Sequence, residues 1–201
     1  MTATPDSDLP LGCFWDPRIG SPARTVLPGT HLVTNETNVA VTTLLGSCVA
    51  ACIRDSELGL GGLNHFLLPD GPEDGSHKTA RYGIHAMEVL VNDILKQGGR
   101  RERLEAKVFG GANVIDLSAH ETVGDSNARF VVTHLEREGI QILSSDLGGE
   151  CARRVYFFPT TGRVRVQKLA PAETRDLGRS ETQFHTQIND ALKVGGVELF
   201  Q

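Results

Sequence analysis

Residues Val39–Pro69 read VAVTTLLGSCVAACIRDSELGLGGLNHFLLP, and their pattern decides the fold. A short apolar run, Val49 to Ile53, is followed by a polar break, Arg54 to Glu57, and a second apolar run, Leu60 to Leu68, which together spell a β-hairpin. Paired positions in such a hairpin sum to a constant. A turn centred between Ser56 and Glu57 therefore sets Cys48 opposite His65, with Cβ atoms roughly 4.5–5.5 Å apart. Strand alternation puts Val49, Ala51 and Ile53 on one face and Ala50 and Cys52 on the other, with Leu63 and Leu67 opposed to Phe66 and Leu68. Strands apolar on both faces are covered on both sides. The expectation is a layered α+β fold with the Cys-His pair at the end of a buried sheet, reached from one open rim.

The pair has a chemistry of its own. Only the thiolate of cysteine is a good nucleophile, and an imidazole within reach accepts the thiol proton. The tight Gly46-Ser47 turn can aim backbone N–H groups at the negative charge that develops when a thiolate attacks a carbonyl. A hydroxyl on the preceding strand would orient the imidazole, and on spacing alone Thr42 and Thr43 are equal candidates. A zinc site from Cys48, Cys52 and His65 is disfavoured, because residues four apart on a strand lie about 13 Å from each other.

Downstream, Met87, Leu90, Val91, Ile94 and Leu95 recur at helical spacing within Thr79 to Gln97, and Gly98-Gly99 closes that helix. Arg100, Arg101 and Arg103 form a basic corner. A strand through Ala106 to Phe109 runs into Gly110-Gly111-Ala112-Asn113, where glycines allow close approach of another backbone and Asn113 is a candidate substrate contact. No Lys-Ser/Thr follows, so this is not a phosphate loop. A second helix is expected to be capped by Asp125 or Ser126 and to end at Gly139, followed by a strand over Ile140 to Leu143. Arg154 to Phe158 and Gly162 to Lys168 form a further hairpin with one wet, basic face. A helix from Arg179 to Val194 closes the chain.

Several segments in order resemble the CheD family of bacterial chemoreceptor glutamine deamidases: TTLLGSCVAACIRD, GGLNHFLLP, RYGIHAMEVLVNDILKQGGRRERLEAKVFGGANV, GDSNARFVVTHLEREGI and SSDLGGECARRVYFFPTTGRVRVQKL. The resemblance runs from about Val26 to Leu169. It implies an α/β/β sandwich with mainly antiparallel sheets and a triad of Cys48 as nucleophile, His65 as base and Thr42 as the orienting group. It also implies hydrolysis of receptor glutamines to glutamate and ammonia through a thioester, with no cofactor. The cytoplasmic helices of chemoreceptors would be the partners. Regulation of a CheC-type chemotaxis phosphatase, or another cysteine hydrolase or transamidase activity, are the alternatives it leaves. Where the family commonly has an acidic and an aromatic residue, Thr30 and His31 stand here, and Ala152 stands at a common glycine.

The chain of 201 residues, 39% hydrophobic, suits one domain, expected over 26–169, with a mobile arm at 1–25 and an extension at 170–201. A net charge of −5 argues against nucleic-acid binding. The acidic, proline-bearing start and the lack of a long apolar run predict neither a signal peptide nor a membrane span, hence a cytoplasmic protein. Four irregularly spaced cysteines predict reduced thiols rather than a disulfide framework.

Overall fold

The computed structural model describes residues 9–68, 77–114 and 122–194. Among the described residues there are two five-stranded sheets and three helices, and two of the helices cover one sheet to make a third layer. The first sheet has the order β1-β2-β4-β9-β10, from Phe14–Asp16, Ser21–Thr25, Ala40–Leu45, Arg153–Phe158 and Arg163–Lys168. The second has the order β3-β6-β5-β7-β8, from His31–Thr34, Leu60–Asn64, Val49–Asp55, Leu104–Gly110 and Gln141–Leu147. Among the described residues only β2 with β4 and β7 with β8 run parallel, so both sheets are mainly antiparallel. Helix α1 (His77–Lys96) packs on β3, β5 and β6, and α2 (Val123–Arg137) on β5, β7 and β8. The result is the expected α/β/β sandwich.

β5 lies in the middle layer and serves two cores at once. Val49, Ala51 and Ile53 join Phe66, Met87, Leu90, Ile94, Val131 and Leu135 beneath the helices. Cys48, Ala50 and Cys52 face the other sheet and meet Val41, Leu45, Leu63, Leu67, Val155 and Phe157. Period-two alternation on a strand covered twice is what the sequence of β5 and β6 encodes.

The hairpin register differs from the sequence expectation. Cys52 pairs with Leu63 and Asp55 with Leu60, and a further bridge joins Val49 to Phe66. That register centres the turn between Glu57 and Leu58. The buried Asp55 carboxylate holds the turn in this place: its Oδ1 accepts from the N–H groups of Glu57 (3.0 Å) and Leu58 (3.1 Å), so the turn begins only after Asp55, one residue later than expected. His65 is consequently aligned with Ala50, two places from Cys48, and both lie just outside the paired strands. A shift of two keeps a residue on the same face, where a shift of one would reverse it. The two side chains are diagonal neighbours facing the space between the sheets.

Other boundaries move for local reasons. Residues 14–25, expected within a mobile arm, supply two strands, and Tyr156 Oη donates to the buried Asp16 carboxylate at 2.9 Å to hold them. α2 is capped by Thr122 in a reciprocal box with Asp125, so Asp125 is the box's third helical residue instead of the cap. The Arg corner is matched inside the chain: Arg103 meets Asp55 and Glu57, and Arg101 meets Glu138. His31 bonds Asp93 of α1 at 2.9 Å. The polar run over 70–78 reads as a loop in the sequence; residues 77 and 78 already belong to α1, and the rest lies outside the described residues. The last helix, α3, spans Pro171–Val194 and begins earlier than expected, with Pro in its first position, where no N–H is needed. No helix among the described residues is long and apolar enough to cross a membrane.

Candidate active site

The Gly46-Ser47-Cys48 turn links β4 in one sheet to β5 in the other, and each of its three carbonyls accepts a hydrogen bond that holds its backbone. Gly111 N–H donates to the Cys48 carbonyl (2.8 Å) and Ala112 N–H to the Gly46 carbonyl (2.7 Å). Asn127, fully buried on α2, donates through Nδ2 to the Ser47 carbonyl (2.8 Å) and accepts the Leu68 N–H at Oδ1 (2.8 Å). The expected close approach at the glycine run is thus made by the Gly46-Ser47-Cys48 turn itself. At Gly110, with φ +110°, a Cβ would lie 2.1 Å from the Cys48 carbonyl oxygen. Gly110→Ala should therefore destabilise the fold by at least about 2 kcal/mol, read as a lowered midpoint in urea unfolding with an unchanged m-value.

Cys48 Sγ, a ring nitrogen of His65 and a carboxylate oxygen of Glu181 all lie within 4.8 Å of one another. The structure brings Cys48 and His65 near each other by diagonal opposition and not by the direct opposition expected from sequence. The hydroxyl at the ring is that of Thr43, whose Oγ1 lies 2.7 Å from His65 Nδ1 and donates to the Val26 carbonyl at 2.8 Å. Thr42 does not make this contact. Strand parity explains the difference: Val41 and Leu45 face the space between the sheets while Ala40 faces outward, so Thr43 points inward and Thr42 does not. Thr42 Oγ1 is buried with no hydrogen-bond partner among the described residues, beside a cavity of about 270 Å³ that Thr43, His65, Glu181 and Phe184 also line.

Glu181, from α3, has no precedent in the sequence reading. Its Oε1 accepts the Gly46 N–H (2.8 Å), and its Oε2 accepts the Ser47 N–H (2.6 Å) and the Ser47 hydroxyl (2.8 Å). The N–H groups expected at the oxyanion position do converge on one anion, and here that anion is a side chain of the same protein. The open rim expected from sequence is covered: Cys48, His65 and Glu181 are 0%, 3% and 3% exposed. As metal ligands the three would form an open, three-ligand set, but both Glu181 oxygens are already committed to N–H and O–H donors. Cys52, considered for zinc from sequence, is not in this group.

Burial and charge set the protonation states. Burial pushes the Cys48 thiol well above its usual value, and the Glu181 charge and hydrogen bond push it further. Burial also lowers His65 to about 4. The pair is held as neutral thiol and neutral imidazole. Asn113 belongs to a loop tie: its carboxamide oxygen accepts from the Thr122 hydroxyl and its N–H donates to the Gly149 carbonyl. Asn127, which sequence reasoning missed, was legible only as a polar residue among the apolar spacings of α2.

The family model described as CheD chemotactic sensory transduction matches residues 67–168, all beyond Cys48 and His65. Longer similarities reach across both. A protein of Xanthomonas campestris pv. campestris strain B100 is 49% identical over 188 residues, covering 94% of each chain. One of Stenotrophomonas maltophilia K279a is 47% identical with the same coverage, and one of Methylobacillus flagellatus is 43% identical over 97% of this chain and 98% of its own. Each of these relatives is named a probable chemoreceptor glutamine deamidase CheD. Among solved structures, the Neisseria meningitidis protein NMB0706 covers 66% of this chain and 64% of its own at 14% identity and TM-score 0.41, a distance at which it bears on neither the site nor its chemistry. With relatives this similar along almost its whole length, the chain belongs to the CheD family.

Proposed function

We propose that this protein hydrolyses glutamine side chains of chemoreceptors to glutamate, the activity for which its relatives are named, with Cys48 as nucleophile, His65 as base and Thr43 as the group that orients the base. The observation that carries the assignment is the direction of one hydrogen bond. The single proton of the Thr43 hydroxyl goes to the Val26 carbonyl, so its oxygen accepts from His65 Nδ1–H. Nε2 is then the basic nitrogen, buried without a partner among the described residues, and a ring nitrogen of His65 lies within 4.8 Å of the Cys48 sulfur.

From that tautomer the steps follow. His65 Nε2 takes the Cys48 proton, and the thiolate attacks the amide carbon of a glutamine. The Gly46 and Ser47 N–H groups hold the oxyanion. Protonated His65 then gives its proton to the departing ammonia, leaving a thioester. Water, deprotonated by His65, attacks the thioester, and glutamate and the free thiol are released. Burial deepens the need for this order of events, because an isolated thiolate at this depth would be strongly unfavourable.

Intact-mass spectrometry of a receptor cytoplasmic fragment tests the activity. Conversion shows as the mass gain of an NH2-to-OH exchange in an uncut chain, whereas a protease would give fragments. The orienting role is separable by two variants. Thr43→Val is expected to lower turnover about 10–100-fold with little change in KM, each tenfold being about 1.4 kcal/mol of transition-state stabilisation. Thr42→Val should leave turnover within about threefold, a difference of under 1 kcal/mol. The reverse order would return the role to Thr42.

A further inference from the structure

We propose that α3 is a built-in product mimic: Glu181 occupies the place of the glutamate side chain that the reaction makes, and a substrate segment reaches Cys48 only by displacing this helix. The inference rests on the deamidation reading and adds to it a covered resting state and the position of the substrate side chain.

Three independent features of the contact support it. A glutamate side chain ends in the same carboxylate that deamidation of glutamine produces, and this one is seated on the two N–H groups suited to the oxyanion, within 4.8 Å of the sulfur and the imidazole. Second, glycines on both sides make the approach possible. A Cβ at Gly46 would lie 2.6 Å from Glu181 Oε2, and one at Gly178, a turn before Glu181, would lie 2.7 Å from the Val114 carbonyl oxygen. A glycine inside a helix costs about 1 kcal/mol relative to alanine, so Gly178 is explained by the contact and not by the helix. Third, α3 holds on by a narrow stripe. Thr174, Gly178, Glu181 and Ile188 are buried and Leu177 and Phe184 half-buried, while most of the remaining described positions are exposed. One helix face with a single buried carboxylate at its centre, and few apolar anchors, can be exchanged for another helix of similar form.

The covered state is also chemically silent. A carboxylate beside the sulfur opposes thiolate formation, and the oxyanion donors are already in use. Displacing α3 removes the charge, frees both N–H groups and opens the cavity beside His65 in a single movement.

The test compares wild type with Glu181→Ala, which removes the carboxylate, and with Gly178→Val, which keeps it but collides with the Val114 carbonyl. Melting curves establish that each variant is folded. Two rates are read on the full chain: iodoacetamide alkylation of Cys48 at neutral pH, followed by peptide mass because Cys151 is exposed, and deamidation of a receptor cytoplasmic fragment. Loss of a charge-assisted seat should speed both by about tenfold or more in each variant. Alkylation that is unchanged or slower in both folded variants overturns the proposal. Slower deamidation in Glu181→Ala also overturns it, by placing the carboxylate in the working machinery. If alkylation rises while no protein, wild type included, changes the receptor, the covering role of α3 stands and the deamidation reading fails.

Discussion

Cys48→Ala is expected to abolish receptor deamidation, by about 10⁴-fold or more, while leaving the protein folded. The size of the loss follows from the role: without the sulfur there is no covalent intermediate, and what remains is the weak assistance of the donors and of binding. The stability expectation follows from the packing. Cys48 is fully buried in the core between the sheets, and replacing its thiol by hydrogen removes little volume. It also removes a thiol whose ionisation the surroundings oppose. A change in stability within about 1.5 kcal/mol is expected. Unfolding curves measured beside the mass assay separate a missing nucleophile from a damaged core. A Cys48→Ala protein that still converts glutamines would remove the sulfur from the mechanism.

His65→Gln should lower turnover by about 10²–10⁴-fold, the range for loss of a positioned acid–base group. Glutamine preserves a hydrogen bond to Thr43 but cannot accept the thiol proton. The same variant carries a second signature. The folded-state value of His65, about 4, lies below the ordinary histidine value of 6.5 because burial opposes the charged ring. A depressed value means that the unfolded chain binds the proton more readily. The stabilisation is therefore complete above pH 6.5 and is lost as pH falls toward 4, to a total of about 3 kcal/mol. His65→Gln should flatten that part of the acid stability profile, measured by urea unfolding between pH 7 and pH 4. A variant whose acid slope equals that of wild type would contradict the burial of a neutral imidazole.

What sequence revealed and what it concealed divide along physical lines. The two-sided apolar alternation of β5 and β6, and the helical spacing of Met87, Leu90, Val91 and Ile94, are local patterns, and both appear as expected. Register depended on which residue starts the turn. Asp55 does so through two hydrogen bonds that the polar break does not advertise. Thr42 and Thr43 could not be separated by counting, because the Gly46-Ser47-Cys48 turn interrupts strand parity between β4 and β5. Their faces are fixed by the partners of β4 in its sheet, β2 and β9, and β9 pairs from more than a hundred residues away. Glu181 was out of reach for the same reason, at 133 positions beyond Cys48. Its signal was present in weak form, as the one carboxylate on the stripe Thr174, Gly178, Glu181 and Ile188. The β1–β2 ribbon was hidden by its prolines: Pro22 lies within β2 opposite Trp15, where a proline argues against a strand.

The most direct measurement is interception of the covalent intermediate. Receptor fragment and wild-type enzyme are incubated with hydroxylamine, and the modified glutamines are read by peptide mass. A thioester at Cys48 partitions between water and hydroxylamine, so glutamate and the glutamyl hydroxamate should both form at the same positions, and neither should form with Cys48→Ala. Glutamate accumulating at the full rate with no hydroxamate at any hydroxylamine concentration would contradict the account, because water would then be attacking the amide directly and the sulfur would carry no bond to the substrate.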